Sequence, residues 1–231
     1  MPLRCSTQRL LLLITILIIL QMNDASVKKE LRSRVRSALR AMTNEYIFEQ
    51  SNLACERLFI SKEYQNARGI ACFASMEKEF QTQLLLDRIM HDDKKLFLPK
   101  CITKRDMTLF EIPKNTSISE LPKNQWNIPE PQVGNNALED DHLDLVLVPG
   151  LAFSMKTRAR LGQGAGYYDT WLSTLQKVRI SRNLPMPLTI GLCLDEQLFH
   201  ENDEIPLQPH DFLIHHLVAP SFSSLSSSFS S

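Results

Sequence analysis

The chain has 231 residues, enough for one well-cored α/β domain. Hydrophobic residues make up 43% and charged residues 23%, an ordinary globular composition. Lysine plus arginine, at 26, equals aspartate plus glutamate, at 26, so no global field draws nucleic acid or a membrane surface. An anionic ligand must therefore be held by a local basic cluster.

Arg4 and Arg9 precede an apolar run from Leu10 to Leu20, broken only by Thr15. A basic flank and a short apolar core resemble a signal peptide, and the run is too short for a comfortable membrane span. Asn23-Asp24-Ala25-Ser26 makes a poor cleavage site. Translation beginning at Met22 and an uncleaved anchor are the other two readings. Residues 1–21 are set aside as an extension to a domain over 22–220. The domain is expected in the cytoplasm or mitochondrion. A secreted or membrane-anchored chain is the alternative raised by residues 10–20, with membrane contact only if that segment is retained. A monomer is expected. The cysteines Cys5, Cys55, Cys72, Cys101 and Cys193 are odd in number and scattered, which fits reduced thiols better than disulfides or zinc.

Val27, Leu31, Val35, Ala38, Leu39 and Met42 recur at helical spacing, and the helix they predict carries a basic face of Lys28, Lys29, Arg32, Arg34, Arg36 and Arg40. Such a charge run is ordinarily a solvated face. Thr43 caps a second predicted helix with Glu45 in its first turn, running to about Lys62. Gly69 to Ala74 reads as a buried strand, Phe80 to Met90 as a helix, and Lys95 to Pro99 as a strand stopped by its proline. Met107 to Ile112 is a further strand. Pro113, Pro122, Pro129 and Pro131 mark a long surface excursion up to Asp141. Leu143 to Val148 is apolar enough to be buried on both faces and ends at Pro149-Gly150. A helix follows from Tyr167 to about Val178, then strands at Thr189–Leu194 and Leu213–Val218. The serine-rich residues from Ser221 to Ser231 are expected to be disordered. Strands alternating with helices predict a single-domain α/β fold, a mainly parallel sheet flanked by helices on both faces in a Rossmann-like three-layer architecture.

In such a sheet, ligands sit outside the carboxyl ends of the strands. After the strand ending at Val148 comes Arg160-Leu161-Gly162-Gln163-Gly164-Ala165-Gly166-Tyr167-Tyr168-Asp169. Alternating glycines let backbone amides form an anion-binding nest, and the helix that follows adds the positive end of its dipole. Arg160 offers a planar charged donor for phosphate oxygens, and Asp169 a hard oxygen ligand of the kind magnesium takes together with phosphates. The pattern matches neither the dinucleotide fingerprint nor the Walker lysine motif.

The run from Leu143 to Phe153, continued by Arg160 to Asp169, closely resembles the signature of 5-formyltetrahydrofolate cyclo-ligases, also called 5,10-methenyltetrahydrofolate synthetases. Lys28-Lys29-Glu30-Leu31-Arg32 with Leu39-Arg40-Ala41-Met42 is similar to the family's first helix. Ser75 to Thr82 is similar to its folate-binding turn, Trp126 to Pro131 to its aromatic and proline segment, and His210-Asp211 to its late acidic site. The likeness is colinear from about Val27 to Pro220.

The resemblance implies the ATP- and magnesium-dependent conversion of 5-formyltetrahydrofolate, polyglutamylated or not, to 5,10-methenyltetrahydrofolate with release of ADP and phosphate. It implies that Lys28 and Arg160 carry the charge chemistry. It implies an ATP site of Lys28, Lys29, Arg32 and the loop Arg160, Leu161, Gly162, Gln163, Gly164, Ala165, Gly166, Tyr167 and Tyr168. It implies a folate pocket of Ala74, Glu79 and Trp126 with Gln163 to Tyr167, and magnesium on Asp169 and Asp211. Taken singly, Trp126 could cap the core, Asp211 a turn, and Glu79 could be a helix-start carboxylate. Animal members often carry basic residues at the positions of Gln163 and Ala165. Both are neutral here, which implies weaker or differently tuned ATP binding. A weakened folate-binding homologue, membrane-tethered or secreted, is the competing reading.

Overall fold

The computed structural model describes residues 24–104, 106–114, 116–200 and 204–226. The apolar run at 10–20 and the three readings of it lie outside those residues. Residues 24–41 are helical (α1), and their apolar side chains Val35 and Leu39 are buried, as the helical spacing requires. The second helix, α2 (Asn44–Phe59), starts where Thr43 accepts the Tyr46 amide on its side chain, at 3.1 Å. It ends earlier than the sequence predicts. Ser61 accepts the Tyr64 amide and opens a separate helix, α3 (Lys62–Asn66).

The strands of the main sheet are β1 (Gly69–Ala71), β2 (Lys95–Cys101), β3 (Met107–Glu111), β4 (Leu143–Val148), β7 (Leu188–Leu192) and β9 (His216–Val218). They lie in the order β3-β2-β1-β4-β7-β9, parallel except where β3 runs antiparallel to β2. The helices α4 (Gln83–His91) and α5 (Tyr167–Ser181) complete the crossovers. The α/β, three-layer expectation holds. Along β4, Leu145 and Leu147 join the core beneath α1 to α4, whereas Leu143, Val146 and Val148 join the one beneath α5. The period of two explains the split from Leu145 to Val148, while Leu143 lies before the register irregularity opposite Gly69 and Ile70, and burial on both faces explains the unbroken apolar run Leu145–Val148. Leu147 has no exposed surface. Leu147→Ala is expected to lower unfolding stability by about 2–5 kcal/mol, measured as a drop in urea midpoint at unchanged m-value.

Three differences from expectation have physical causes. Pro99 does not stop β2: it pairs with Leu109 of β3 in mid-strand. The Phe97 carbonyl accepts from Cys72 on the β1 side, so the Pro99 nitrogen two residues later faces the same side, where β1 has ended. The helix expected from Phe80 begins at Gln83 because Thr82 is engaged elsewhere. Its amide donates to the Ser75 hydroxyl at 2.6 Å and its own hydroxyl accepts the Ser75 amide at 3.2 Å. Third, residues 221–226 fold back along β9 rather than leaving the sheet: Ser224 accepts the Leu217 amide, and Phe222 packs on the core. The rest of the serine-rich stretch, 227–231, lies outside the described residues.

A second sheet escapes periodicity altogether. It joins β6 (Arg160–Leu161), β5 (Ala152–Ser154) and β8 (Leu198–Phe199) in the order β6-β5-β8. Its pairing Phe153↔Arg160 fixes the start of the glycine loop above the carboxyl end of β4. A glycine is required at position 150, where a Cβ would lie 2.7 Å from the Phe153 ring.

Candidate functional site

The sheet order reverses between β1 and β4, because β1 leads to β2 on one side and β4 to β7 on the other. This is the topological switch point at which open α/β sheets bind ligands. A cleft of about 510 Å³ lies there. Its walls come from α1, the turn after β1, the end of β2, the segment before β4, the whole run Arg160–Asp169, and the segment Gln208–Asp211.

Gly164 (φ +113°) and Gly166 (φ +76°) take backbone conformations that a Cβ would strain. Gly166 is also the N-cap of α5 and offers no side-chain cap, so the helix presents its positive end to the cleft. The amides of Gln163, Gly164, Ala165 and Gly166 donate to no acceptor among the described residues. The nest expected of alternating glycines is therefore available to an anion.

Arg160 is nearly buried, its side chain 4% exposed. Its Nη2 lies 2.9 Å from Asp169 Oδ1, and its guanidinium carbon 5.7 Å from the centre of the Tyr168 ring. Neither Nη2 nor Nε makes a hydrogen bond, so the contact with Asp169 is ionic and the N–H misses the oxygen. Orphan buried donors are costly, and they fit a wall built for an anion. Asp169 Oδ1 also accepts the Phe212 amide at 3.1 Å.

Lys28, buried on the first turns of α1, donates to Asp211 Oδ2 at 2.5 Å. Asp211 caps its own turn, accepting the Gln208 amide at 2.8 Å while it holds Lys28, so capping a turn and serving the site coexist in one carboxylate. Arg32, one helical turn after Lys28, donates to the Gly162 carbonyl at 2.9 Å. Burial lowers the Arg32 pKa, the charge of Arg36 lowers it further, and Asp211 pulls it back up. Lys29 is exposed and lines no part of the cleft. The next residue along a helix stands about 100° round the axis, which turns Lys29 away when Lys28 faces in.

The opposite wall is apolar, with Phe73, Ala74, Met76 and Met107. Trp126 stands at its rim, 51% exposed, where Asn124 accepts its backbone amide. Glu79 sits in a turn held by the Ser75–Thr82 exchange. Its Oε2 accepts the Met76 amide at 3.2 Å and its Oε1 the Gln163 side-chain amide at 3.0 Å. Burial pushes the Glu79 carboxyl above its ordinary range, against the lowering pull of those two hydrogen bonds. With the folded value raised, Glu79 stabilises the fold fully below the ordinary glutamate range, and that contribution fades as pH rises through the raised value. Glu79→Gln is therefore expected to flatten the stability profile on the high-pH side of the ordinary glutamate range, read by urea unfolding as pH is raised through and above that range. A profile as steep as that of the native chain would contradict it.

Among the described residues, no group of three or more His, Cys, Asp or Glu side chains forms a metal cage. Asp169 and Asp211 each commit one oxygen to a cation and a backbone amide, and the other oxygen has no hydrogen bond among the described residues. Such a pair fits magnesium in the form that takes one or two carboxylates and completes its shell with phosphate and water. Phe73 and Gln208 line the cleft without any signal in the sequence, and Met76, Ile128 and Glu130 line it within the segments Ser75 to Thr82 and Trp126 to Pro131, where the sequence assigns them no individual part. Glu130 is buried, accepting from the Asn124 side chain at 2.7 Å and the Cys101 amide at 3.3 Å, and it holds the proline segment against β2. Only its place beside Trp126 signalled it.

A switch-point cleft with a glycine nest, a buried arginine and an apolar wall is the ligand site of an α/β enzyme class. A family model described as the 5-formyltetrahydrofolate cyclo-ligase family matches residues 24–220, and the chain belongs to that family of ligases of folate one-carbon metabolism. The mouse 5-formyltetrahydrofolate cyclo-ligase is 33% identical over 193 residues, covering 82% of this chain and 91% of the mouse protein. A Schizosaccharomyces pombe protein named as a probable 5-formyltetrahydrofolate cyclo-ligase is 32% identical over 197 residues, covering 84% of this chain and 95% of that one. The solved structure of Aquifex aeolicus 5,10-methenyltetrahydrofolate synthetase superposes with a TM-score of 0.68 at 24% identity, over 86% of this chain and 92% of that one. It speaks for the fold. No helix among the described residues is long and apolar enough to cross a membrane.

Proposed function

We propose that this cleft converts 5-formyltetrahydrofolate to 5,10-methenyltetrahydrofolate at the expense of ATP, releasing ADP and phosphate. The observation that carries the reading is that the glycine loop, Arg160 and Lys28 share one cavity with an apolar wall ending in Glu79 and Trp126. The loop amides, Arg160, Lys28 and Arg32 bind the nucleotide phosphates. Ala74, Glu79 and Trp126 receive the folate, with Glu79 offering an acceptor to ring N–H groups and Trp126 a flat face.

A formamide on N5 is a poor electrophile, so its oxygen must become a leaving group. The formyl oxygen attacks the γ-phosphorus and ADP departs. N10 then adds to the iminium-like carbon and gives up its proton to the phosphate, the C–O bond breaks, and inorganic phosphate leaves with ring closure. Positioning and charge neutralisation are the main demands on the protein in phosphoryl transfer. Arg160 faces the charge that develops on the transferred group, and Lys28, anchored by Asp211, adds a second cation. Asp169 and Asp211 are the residues to hold magnesium, which when bound supplies charge neutralisation of the phosphates. We place the reaction in a compartment that supplies ATP and reduced folate, the cytosol or the mitochondrion, and take the working unit as a monomer.

The neutral Gln163 and Ala165 favour weaker or differently tuned ATP binding than in basic-loop relatives, and they are the feature behind the weakened-homologue reading. The experiment is ADP release in the presence of 5-formyltetrahydrofolate and magnesium. One ADP for each folate consumed supports the proposal. Release that ignores the folate contradicts it.

A further inference from the structure

Arg36 has no part in the reading above, yet it reaches the glycine loop. Its Nη2 donates to the Gln163 carbonyl at 3.1 Å and to the Gln163 side-chain oxygen at 2.8 Å. Arg32, four residues earlier on the same face of α1, holds the preceding carbonyl, that of Gly162. Two consecutive carbonyls of the loop are thus drawn toward one helix. No peptide bond among the described residues is cis, and in a planar trans peptide the N–H points opposite to the carbonyl before it. The amides of Gln163 and Gly164 are thereby turned away from α1, and both residues line the cleft.

Two guanidinium groups at this spacing repel, which is the sense in which Arg36 lowers the Arg32 pKa. The pair of loop carbonyls compensates that cost. Gln163 also extends the connection: its carbonyl and side-chain oxygen accept from Arg36 while its side-chain NH₂ donates to Glu79 on the opposite wall. A basic side chain at 163 leaves Arg36 only the backbone carbonyl there, so the side-chain half of this arrangement, and the tie to Glu79, belong to the neutral residue.

We propose that Arg36 is a positioning residue for the nucleotide loop, acting through Gln163, and that Gln163 ties the nucleotide side of the cleft to the folate-side carboxylate of Glu79. The proposal rests on reading the loop as the ATP site. It makes Gln163 an alternative to a basic loop residue: the charge is kept on α1 and delivered through backbone orientation.

Arg36→Met keeps an unbranched, helix-favouring side chain and removes the donors. It is expected to raise the KM for ATP about tenfold with kcat at saturating ATP unchanged, and to speed hydrogen exchange at the loop amides 163–166. Gln163→Ala keeps the backbone carbonyl and loses only the side-chain oxygen and the tie to Glu79, so it is expected to raise the ATP KM less than Arg36→Met, and the double variant to fall short of the summed losses, because the two changes share part of one connection. An unmoved ATP KM in Arg36→Met, or additive losses in the double variant, overturns the proposal. Arg160→Met separates this from the underlying assignment. If the loop does not hold ATP, that variant too leaves the nucleotide kinetics unmoved, whereas a failure confined to Arg36 leaves the ATP site standing.

Discussion

Arg160→Met is expected to lower kcat about 10²–10³-fold while the chain remains folded. The side chain is nearly buried, stacked over the Tyr168 ring and pinned at its root by the Phe153↔Arg160 pairing, so it cannot swing away to be replaced by solvent. A preorganised charge in a water-poor site exerts its full effect where transition-state charge develops, because nothing must reorganise to meet it. Methionine fills a similar volume without charge, which keeps packing loss small. The measurement is kcat at saturating ATP and folate, with thermal unfolding as the check on folding. An undiminished kcat would remove Arg160 from the charge-bearing set.

Asp169→Asn is expected to damage stability and activity by separable routes. The carboxylate neutralises Arg160 at 2.9 Å and accepts the Phe212 amide. Breaking a buried ion pair costs about 3–5 kcal/mol, and the loss here falls toward the lower end because the Asp169 side chain is 19% exposed. The Arg160→Met/Asp169→Asn double variant leaves no uncompensated cation, so it is expected to recover much of the stability lost in Asp169→Asn and none of the activity. Urea unfolding of the three variants reads the first effect. A magnesium titration of activity reads the second, and Asp169→Asn is expected to need more magnesium and to reach a lower plateau. Wild-type activity in Asp169→Asn refutes the magnesium role proposed for this carboxylate.

Much of the fold is legible in the residues. β4 lies where its apolar run, interrupted only at Asp144, and the following Pro149-Gly150 place it, and Thr43 caps α2 as its side chain and the early Glu45 require. What escaped is short or borrowed. The two- and three-residue strands β5, β6 and β8 have no period to detect, yet they carry Arg160 into the cleft. Pro99 misled because its missing donor matters only on a side with a partner, and that depends on where β1 ends.

The candidate site was legible for the same reason it is compact. Ten consecutive residues from Arg160 to Asp169 line it, so spacing alone exposes them. Lys28 and Asp211 stand 183 residues apart, and only the fold shows their contact. Trp126 lies at the rim of the cleft, half exposed. Lys29 shows the limit of reading a basic helix as a block, because helical geometry divides adjacent residues between cleft and solvent.

The central claim is that the cleft activates a formyl oxygen with ATP. The most direct measurement is the absorbance of methenyltetrahydrofolate as it forms from 5-formyltetrahydrofolate in the presence of ATP and magnesium. The account predicts that product accumulates with the native chain and is lost when ATP is withheld. No product at saturating ATP would contradict it.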